Sequence, residues 1–543
     1  MSFWGILAAL IAGIVLCSLP TPAGLTVEGQ RLLAMTIVMA ILWFGQFLPV
    51  AVTSLLPICL YPLLGIVNAG DACAPYANKN VFLFLGGFLI ALGLEQSGLH
   101  RRLALQLVRG VGTGPRAIVF GFMLTTAFLS MWISNTASTM LMVPIALALL
   151  KTLGEVDSEG ESGGIMNQLT APTLLGISYG ASVGGFATLV GTPTNVAFRG
   201  FWEDHFVKAG AANISAASWM VAFAPVSLVL LLLVGVSLTW SLPGKAAVVG
   251  GEGDFFGNRL RALGRMRRSE MLVAVLFVST AVLWMTRVPL TFGEWTLLPG
   301  WTNGLSALGK SLGYDWTYLP AFADDGSIAI CMGLLLFLIP HDQQEAGKPI
   351  RQLVTWDDAQ RHIPWGMLLL IGAGFSMANA FDATGLSGWM GSGLAWALEG
   401  RSTIVLAVLV CIFVTFLTEF TTNVATLNML LPVLAGVAHE LNIPPLMVLL
   451  PATISCSCAF MLPIGTPPNA IVFGTGHVTM REMARTGFVL NLLGVIVVTV
   501  ASVVWVPYAI EMKLDKPAPA QPAGEEESNP DVSGESALPP SGN

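Results

Sequence analysis

Two groups of short polar side chains lie inside stretches of sequence that are otherwise apolar. The first group, in MWISNTASTM, includes Asn135, and the second, in TEFTTNVATLNMLLP, includes Asn423. Serine, threonine and asparagine side chains offer neutral oxygens, and a helix that is interrupted at such residues leaves backbone carbonyl and N–H groups free. Free carbonyls can hold Na⁺, and free N–H groups can bind a carboxylate. The residue types therefore predict a site for a cation and an anion.

The composition indicates the environment of these groups. Of 543 residues, 54% are hydrophobic and only 10% are charged, which is unlike a soluble protein. Apolar segments recur as far as about residue 510, each near the ~20 residues that a helix needs to cross a bilayer. Segments 228–240 and 492–506 are apolar on every side, whereas strands of a membrane barrel would alternate. We therefore expect an all-α polytopic membrane protein.

The apolar segments fall into two kinds. Four of them do not fit a simple crossing: 117–151 and 402–436 are too long and are broken by the polar groups, while 170–198 and 445–475 are interrupted by Gly-Thr-Pro. Interrupted helices in corresponding halves are typical of a transporter's binding site. The pattern predicts about eleven transmembrane helices and two re-entrant hairpins. The single crossings are expected at 3–18, 31–46, 49–67, 81–98, 216–240, 270–288, 326–340, 365–381 and 487–510.

The positions of basic residues predict the orientation. With the amino terminus in the cytoplasm and the two long segments returning to their side of entry, most of the 25 Lys and Arg residues lie inside. This layout makes 117–151 an inward-opening hairpin, 402–436 an outward-opening hairpin and 241–269 a cytoplasmic basic loop. The carboxyl terminus emerges outside, and the Pro- and Glu-rich tail at 511–543 is expected to be disordered.

An internal repeat relates the two halves of the chain. Residues 84–99 align with 370–386, Asn135 with Asn423, and the two Gly-Thr-Pro motifs with each other. Since the two hairpins open to opposite sides, the repeat is inverted. The expected organisation is scaffold helices at 1–80, a first repeat at 81–240, further scaffold helices at 270–364 and a second repeat at 365–510.

Membrane depth makes the polar groups costly. An unpaired amide or hydroxyl in hydrocarbon costs ~2–7 kcal/mol, so Asn135 and Asn423 need partners. Hydrogen bonds to neighbouring helices would satisfy a single cluster. Four clusters in two symmetric pairs instead favour an ion and substrate site at the membrane midplane.

The same motifs carry a resemblance to a known family. Through SNTA at 134–137, the paired GTPTN and GTPPN, and residues 127–138 and 355–381, the sequence resembles the divalent anion:sodium symporters, solute carrier family 13. The resemblance covers roughly residues 30–510. It implies a homodimer in which a transport domain, carrying both hairpins and both broken helices, slides as an elevator along a fixed scaffold. Family members move dicarboxylates, tricarboxylates or sulfate, usually with two or more Na⁺.

The resemblance also implies the roles of particular residues. One departure is Val424, which stands where the family pattern has threonine; valine removes one hydrogen bond and leaves the choice among C4 dicarboxylates, citrate and sulfate open. Valine here resembles some animal carboxylate carriers, which favours succinate, fumarate or malate. The implied ligands are Ser130, Ser134, Asn135 and Gly191 for a first Na⁺, Thr418, Thr422, Asn423 and Gly465 for a second Na⁺, and Asn135, Thr136, Asn423, Val424, Thr466 and Pro467 for the substrate.

The function that follows is Na⁺-coupled import of a small dianionic carboxylate across the cell membrane. Alternatives with the same fold are a dicarboxylate exchanger and an H⁺-coupled carrier with Glu419 as its proton site. A channel or an arsenite-type efflux protein is a further alternative. An enzyme is not expected, because no nucleophile, base and orienting group recur together. The phosphate-loop pattern at 304–311 lacks its preceding strand, and the basic segment 264–270 suits a cytoplasmic loop without nucleic acid.

Overall fold

The structure is a computed structural model that describes residues 3–110, 114–157, 163–242, 255–292, 295–298, 300–342 and 351–511. The regular secondary structure of the described residues is helical, apart from one two-stranded hairpin and an isolated β-bridge between Pro340 and Gln352. Six helical stretches in this part are long and apolar enough to cross a membrane. The predicted disordered tail lies outside the described residues from residue 512 onward.

The amino-terminal helices match two predicted helical segments and differ from a third. Helices α1 and α2 match 3–18 and 31–46, but 49–67 is not one helix. Pro57 has no N–H to continue a helix that started at Val50, so the chain breaks and a new helix begins at Leu56. The elements are α1 (Phe3–Ser18), α2 (Val27–Gly45), α3 (Val50–Thr53), α4 (Leu56–Leu63), α5 (Ala69–Cys73) and a 3₁₀ helix (Ala74–Ala77).

The first repeat follows and contains both expected interruptions. The segment 117–151 forms two helices that meet at a tip, and 170–198 breaks at Gly-Thr-Pro. Its elements are α6 (Lys79–Ser97), α7 (Leu99–Arg109), α8 (Pro115–Ser130), α9 (Asn135–Asp157), α10 (Gly163–Gly185), α11 (Pro193–Trp202), a π-helix (Glu203–Val207) and α12 (Ala216–Thr239).

The connection between the repeats contains more structure than the sequence suggested. Part of the basic loop 241–269 is helical, and a β-hairpin lies in the Trp-rich segment; residues 304–311 belong to a helix, so they do not form a phosphate loop. The elements are α13 (Phe255–Ala262), α14 (Arg268–Met285), β1 (Leu290–Phe292), β2 (Trp295–Leu298), α15 (Trp301–Ser311), α16 (Leu319–Phe322), α17 (Asp325–Leu335), a 3₁₀ helix (Leu336–Leu338) and α18 (Trp356–His362).

The second repeat has the same order of helices as the first. The elements are α19 (Trp365–Thr384), α20 (Leu386–Leu398), α21 (Thr403–Leu417), α22 (Asn423–Glu440), α23 (Leu446–Ser455), α24 (Pro467–Gly474), α25 (Met480–Val500), a π-helix (Ala501–Trp505) and α26 (Val506–Glu511). Gly98 and Gly385, which the alignment matched, both have positive φ, 79° and 70°, and end α6 and α19. Each glycine lets the chain turn directly into a further helix, α7 or α20.

The two repeats interlock around their interrupted segments. The second half of the first hairpin, α9, packs against α24 of the second broken helix, and α22 of the second hairpin packs against α11. Each hairpin also packs along the broken helix of its own repeat, α8 along α10 and α21 along α23. This exchange of neighbours brings both hairpin tips and both helix breaks to one region.

Candidate substrate and ion site

A cavity of about 860 Å³ lies between the two hairpin tips and the two helix breaks. Ten of the twelve residues predicted to bind ions or substrate line it: Ser134, Asn135, Thr136, Gly191, Thr422, Asn423, Val424, Gly465, Thr466 and Pro467. The other two, Ser130 and Thr418, are fully buried behind the wall, where each holds one of the two asparagines. The fold therefore brings the predicted site residues together, although they are far apart in the chain.

Four helices begin at the wall of this cavity. The first residues of α9, α11, α22 and α24 all belong to the lining, which follows from the Ser-Asn-Thr and Gly-Thr-Pro interruptions. A helix amino terminus presents free N–H groups and a partial positive charge, so it attracts anions. Among the described residues, no Lys or Arg side chain lines the cavity. Backbone groups are therefore its source of positive potential.

The first half-site consists of Ser130, Ser134, Asn135 and Gly191. The Ser130 hydroxyl donates to the Asn135 amide oxygen at 2.6 Å. With the Asn135 amide rotated by a half-turn, its nitrogen would donate to the carbonyl oxygens of Ala181 at 3.2 Å and Gly191 at 3.3 Å. In the unrotated orientation, the amide oxygen faces the same two carbonyl oxygens. Oxygens this close together need a proton or a cation between them. The half-site therefore has two alternatives: the amide nitrogen satisfies these oxygens directly, or the amide oxygen joins them in a cluster that can hold Na⁺.

Glycine is required where this half-site crosses the helix break. A Cβ atom on Gly191 would lie 2.3 Å from the Gly185 carbonyl oxygen and 2.9 Å from the Ser130 carbonyl oxygen. A Cβ atom on Gly185 would lie 2.4 Å from the Asn135 amide oxygen. Only glycine permits such a close approach of backbone and side-chain oxygens.

The second half-site consists of Thr418, Thr422, Asn423 and Gly465. The Thr418 hydroxyl donates to the Asn423 amide oxygen at 2.8 Å and approaches the Cys456 carbonyl oxygen at 3.2 Å. The buried Thr422 hydroxyl has no hydrogen-bond partner among the described residues. Because buried hydroxyls are normally paired, this oxygen is a candidate ligand for a cation.

A buried carboxylate supports the second half-site from behind. Glu419 is 1% exposed and accepts hydrogen bonds from the backbone N–H groups of Phe460 at 2.7 Å, Met461 at 2.9 Å and Leu462 at 3.0 Å. The Asn491 side chain donates a fourth bond at 2.8 Å. Four donors suit an ionised carboxylate that holds the break between α23 and α24. This geometry supports a structural role for Glu419 rather than a proton-carrying one.

Sequence reasoning missed two asparagines that brace the breaks. Asn195 donates to the Thr188 carbonyl at 2.7 Å, and Asn469 donates to the carbonyls of Ala459 and Leu462, each at 3.0 Å. Each amide thus binds carbonyls that the interrupted helix leaves free. The signal was present in the sequence, since GTPTN and GTPPN both end in asparagine.

The mouth of the cavity was also not predicted. The lining includes Gln46, His362 and Pro364, which are exposed, and Glu95, which is half-buried. The cavity therefore opens at the end of α2, the carboxyl end of α6 and the start of α19. Among the described residues, no group of three or more His, Cys, Asp or Glu could hold a metal ion. Around the hairpin tips and helix breaks, the cation ligands available in the cavity wall are neutral oxygens, whereas the carboxylate of Glu95 lies at the mouth.

Comparison with known proteins places this arrangement in a family. The transmembrane region of the sodium:sulfate symporters matches residues 1–511. The sodium-dependent dicarboxylate transporter SdcS of Staphylococcus saprophyticus is 36% identical over 523 residues, covering 95% of this chain and 94% of that protein. SdcS of Staphylococcus aureus is 35% identical over 506 residues, covering 92% and 90%.

A solved structure shows the same fold at greater distance. The YdaH transporter of Alcanivorax borkumensis has a TM-score of 0.52 and 16% sequence identity, covering 93% of this chain and 97% of that one. It supports the fold alone. The match over nearly the whole described chain, together with the paired motifs around one cavity, settles the class of protein. The chain belongs to the sodium:sulfate symporter family, that is, the divalent anion:sodium symporters, and is a multi-pass membrane transporter rather than an enzyme.

Proposed function

We propose that this protein is a Na⁺-coupled symporter that imports a C4 dicarboxylate such as succinate, fumarate or malate. The observation that carries the proposal is the cavity wall, where four helix amino termini meet two clusters of neutral oxygens and, among the described residues, no Lys or Arg side chain. The names of the SdcS relatives, sodium-dependent dicarboxylate transporters, support the same chemistry.

Charge balance explains why ions and substrate bind together. A dianion faces a large dielectric penalty inside a membrane protein, and helix termini offset only part of it. Two Na⁺ ions, one at each half-site, cancel the remaining charge at short range. Asn135 and Asn423 each lie beside the hydroxyl of their half-site and also line the cavity, so they connect ion and substrate. We expect two or more Na⁺ per transported dianion.

The substrate is held from both tips. Thr136 offers a hydroxyl at the first tip, whereas Val424, which is 4% exposed, offers only methyl groups at the second. An apolar contact suits the methylene or vinyl carbons of a C4 dicarboxylate better than the oxygens of sulfate. Thr466 and Pro467 bring a further helix terminus to the same wall.

The open mouth suggests the transport cycle. It lies at the end of the molecule that the positive-inside rule places in the cytoplasm, so this conformation releases substrate inward. Alternating access then requires that the hairpins and broken helices slide as one transport domain against the remaining helices. The family resemblance makes a homodimeric elevator the proposed mechanism.

Uptake into proteoliposomes tests the function. Radiolabelled succinate should accumulate against its gradient only when Na⁺ is present outside, and Asn135→Ala or Asn423→Ala should abolish this accumulation. Asn303→Ala, which truncates an exposed asparagine on α15, is the matched control and should transport normally. Undiminished uptake by either cavity variant would refute the assigned site.

Further arms of the same assay separate the alternatives. Equilibration without accumulation would indicate a channel, and uptake that needs internal dicarboxylate but not Na⁺ would indicate an exchanger. A pH gradient that replaces Na⁺ would indicate H⁺ coupling. Competition by citrate and sulfate defines the substrate class, since stronger competition by either one than by unlabelled succinate would replace the C4 assignment.

A further inference from the structure

A network of mostly buried charges lies outside the proposed site, near the amino end of α6 and the carboxyl end of α11. Arg199, at 1% exposure, pairs through Nη1 with Asp325 at 3.0 Å and through Nε with Glu203 at 3.3 Å; its Nη2 lies 3.8 Å from Asp324. The fully buried Asp325 also accepts a hydrogen bond from Arg287 Nε at 2.6 Å. We call these groups, together with Lys79, the clasp.

The clasp joins a broken helix, which the sequence assigns to the transport domain, to helices that it assigns to the scaffold. The Glu203 carboxylate accepts a hydrogen bond from Asn80 Nδ2 at 2.7 Å and forms an ion pair with Lys79 at 3.3 Å. Lys79 also forms an ion pair with Asp324 at 3.5 Å. Arg199 and Glu203 belong to the second half of a broken helix and the π-helix that continues it. Their partners outside this segment lie at the starts of α6 and α17, in segments that the sequence assigns to the scaffold, and Arg287, which follows α14, pairs with Asp325 on the scaffold side.

Charge is balanced within the clasp. Three cations, Lys79, Arg199 and Arg287, face three carboxylates, Glu203, Asp324 and Asp325. The two shortest ion pairs that cross between the two sides are Arg199 with Asp325 at 3.0 Å and Lys79 with Glu203 at 3.3 Å, while Arg199–Glu203 and Arg287–Asp325 stay together on either side. Parting the clasp therefore breaks the cross pairs of side chains that are mostly buried, and each buried charge keeps fewer partners.

The clasp and the open mouth lie at opposite ends of the same helices. On α6 the clasp residue Lys79 is at the amino end, and the mouth residue Glu95 is near the carboxyl end. On α19 the mouth lies near Gly366, whereas Asp382 at the other end pairs with His205 of the π-helix at 3.0 Å. The clasp therefore lies at the end of these helices that is opposite to the mouth.

We propose that the clasp is a latch that holds the inward-open conformation and must part before the transport domain moves outward. This inference rests on the proposed alternating-access function. Its strength would set the balance between inward-open and outward-open states, because a contact made in one state biases the equilibrium toward that state. Weakening the clasp therefore shifts molecules to the outward-open state.

A charge-removing variant tests the latch with little change of shape. Asp324→Asn removes one carboxylate, while asparagine can still accept the bond that Gly326 N–H now donates to Asp324 at 2.7 Å. The control is Lys208→Gln, which removes the pair between Lys208 and Asp204 within the π-helix segment and crosses to no other element. Both variants are placed in a full-length background in which the four exposed cysteines are replaced: Cys17, Cys59, Cys73 and Cys331.

The measurement is the rate at which a thiol reagent labels Met367→Cys, a reporter on the cavity wall near the mouth. Asp324→Asn should slow this labelling at least about threefold, because fewer molecules hold the mouth open. Lys208→Gln should leave the rate unchanged. Equal rates in the parent, Asp324→Asn and the control would overturn the latch. If Asp324→Asn does not fold, Lys79→Gln removes two pairs from a half-exposed side chain and should slow labelling in the same way.

Cross-linking gives an independent result. Asn78 Nδ2 donates to Asp204 at 2.8 Å beside the clasp, so cysteines at both positions can be joined by a short cleavable reagent. The cross-link should stop succinate uptake, and its cleavage should restore uptake; continued uptake by the cross-linked protein would overturn the latch. Absence of Na⁺-dependent uptake in the parent would instead refute the proposed function. The labelling rates are measured without substrate, so they test the latch separately.

Discussion

The two half-sites present similar oxygens to the cavity but are supported in different ways. In the first, the residue after Ser130 is Met131, whose carbonyl accepts a hydrogen bond from Thr188 at 2.5 Å; the same Thr188 oxygen accepts from Gly191 N–H at 3.1 Å. In the second, the residue after Thr418 is Glu419, whose carboxylate collects four N–H donors. One half-site is therefore neutral, and the other contains a buried negative charge.

This difference predicts that the half-sites bind Na⁺ unequally. The described residues supply no Lys, Arg or His within ion-pair distance of Glu419, so a cation near Gly465 would compensate its charge. The first half-site attracts a cation only through dipoles, which are weaker than a full charge. We expect the second half-site to fill first and the first to fill together with the dianion.

The largest expected effect comes from adding a methyl group to each glycine. In Gly191→Ala the new Cβ would meet backbone oxygens at 2.3 and 2.9 Å, which cannot move aside without displacing the break. In Gly465→Ala the nearest atom is Glu419 Oε2 at 3.2 Å, a contact that small shifts can relieve. We expect Gly191→Ala to lower Na⁺-dependent uptake by roughly 100-fold or more, since displacing a binding group by about 1 Å has an effect of that order. Gly465→Ala should retain measurable uptake.

The control for both variants is Gly474→Ala, because no atom lies within 4 Å of its added Cβ. Initial rates of succinate uptake, normalised to the amount of reconstituted protein, provide the comparison. Equal losses in Gly191→Ala and Gly465→Ala would contradict the contrast between a backbone clash and a tight side-chain contact.

Glu419→Gln tests the charge of the second half-site. Glutamine fills the same volume but loses the negative charge and turns an NH₂ group toward one of the N–H donors. The Na⁺ concentration that gives half-maximal uptake should rise about tenfold, equivalent to ~1.4 kcal/mol of lost attraction. A thermal unfolding scan in Na⁺-free buffer separates this effect from loss of stability. An unchanged Na⁺ dependence would show that the carboxylate has only a structural role.

Residue types and spacing were sufficient to predict most of this region. The polar runs around Asn135 and Asn423 and the Gly-Thr-Pro motifs predicted where helices stop, because proline and short polar side chains cannot continue or satisfy a buried helix. Hydropathy could not reveal α7, since this amphipathic helix lies between Gly98 and the next apolar segment and does not resemble a crossing. The prediction of one continuous segment over 49–67 was wrong in its helix, because Pro57 lacks the N–H that an unbroken helix needs there.

The polar partners that lie far apart in the chain could not be predicted from the sequence. Nothing near Glu419 in the chain indicates that its donors are residues 460–462 and Asn491. Arg199 likewise pairs with Asp325 across more than a hundred intervening residues. Local propensity predicts helix ends, whereas the pairing of buried charges depends on which helices become neighbours.

The asparagines after the Gly-Thr-Pro motifs allow a comparison of stability. Asn469 accepts a bond from Ser178 at 2.6 Å and donates two, whereas the Asn195 amide oxygen has no partner among the described residues. Asn469→Ala should lower the free energy of unfolding by about 1–3 kcal/mol because it leaves buried groups unpaired. Asn195→Ala should have a smaller effect. Melting temperatures in detergent give the order, and a larger loss for Asn195→Ala would show that the first break depends more on its asparagine.

The smallest expected effect concerns the residue that makes the two tips chemically different. Val424→Thr adds a hydroxyl at the position that corresponds to Thr136, with almost no change of volume. If the substrate lies between the tips, the new hydroxyl can donate one hydrogen bond to an oxygen-rich anion. We expect competition by sulfate or citrate against succinate to strengthen by about two- to tenfold, the equivalent of one hydrogen bond worth ~0.5–1.5 kcal/mol. The reciprocal variant Thr136→Val should weaken the same competition, and identical inhibition profiles in all three proteins would show that the substrate does not reach the second tip.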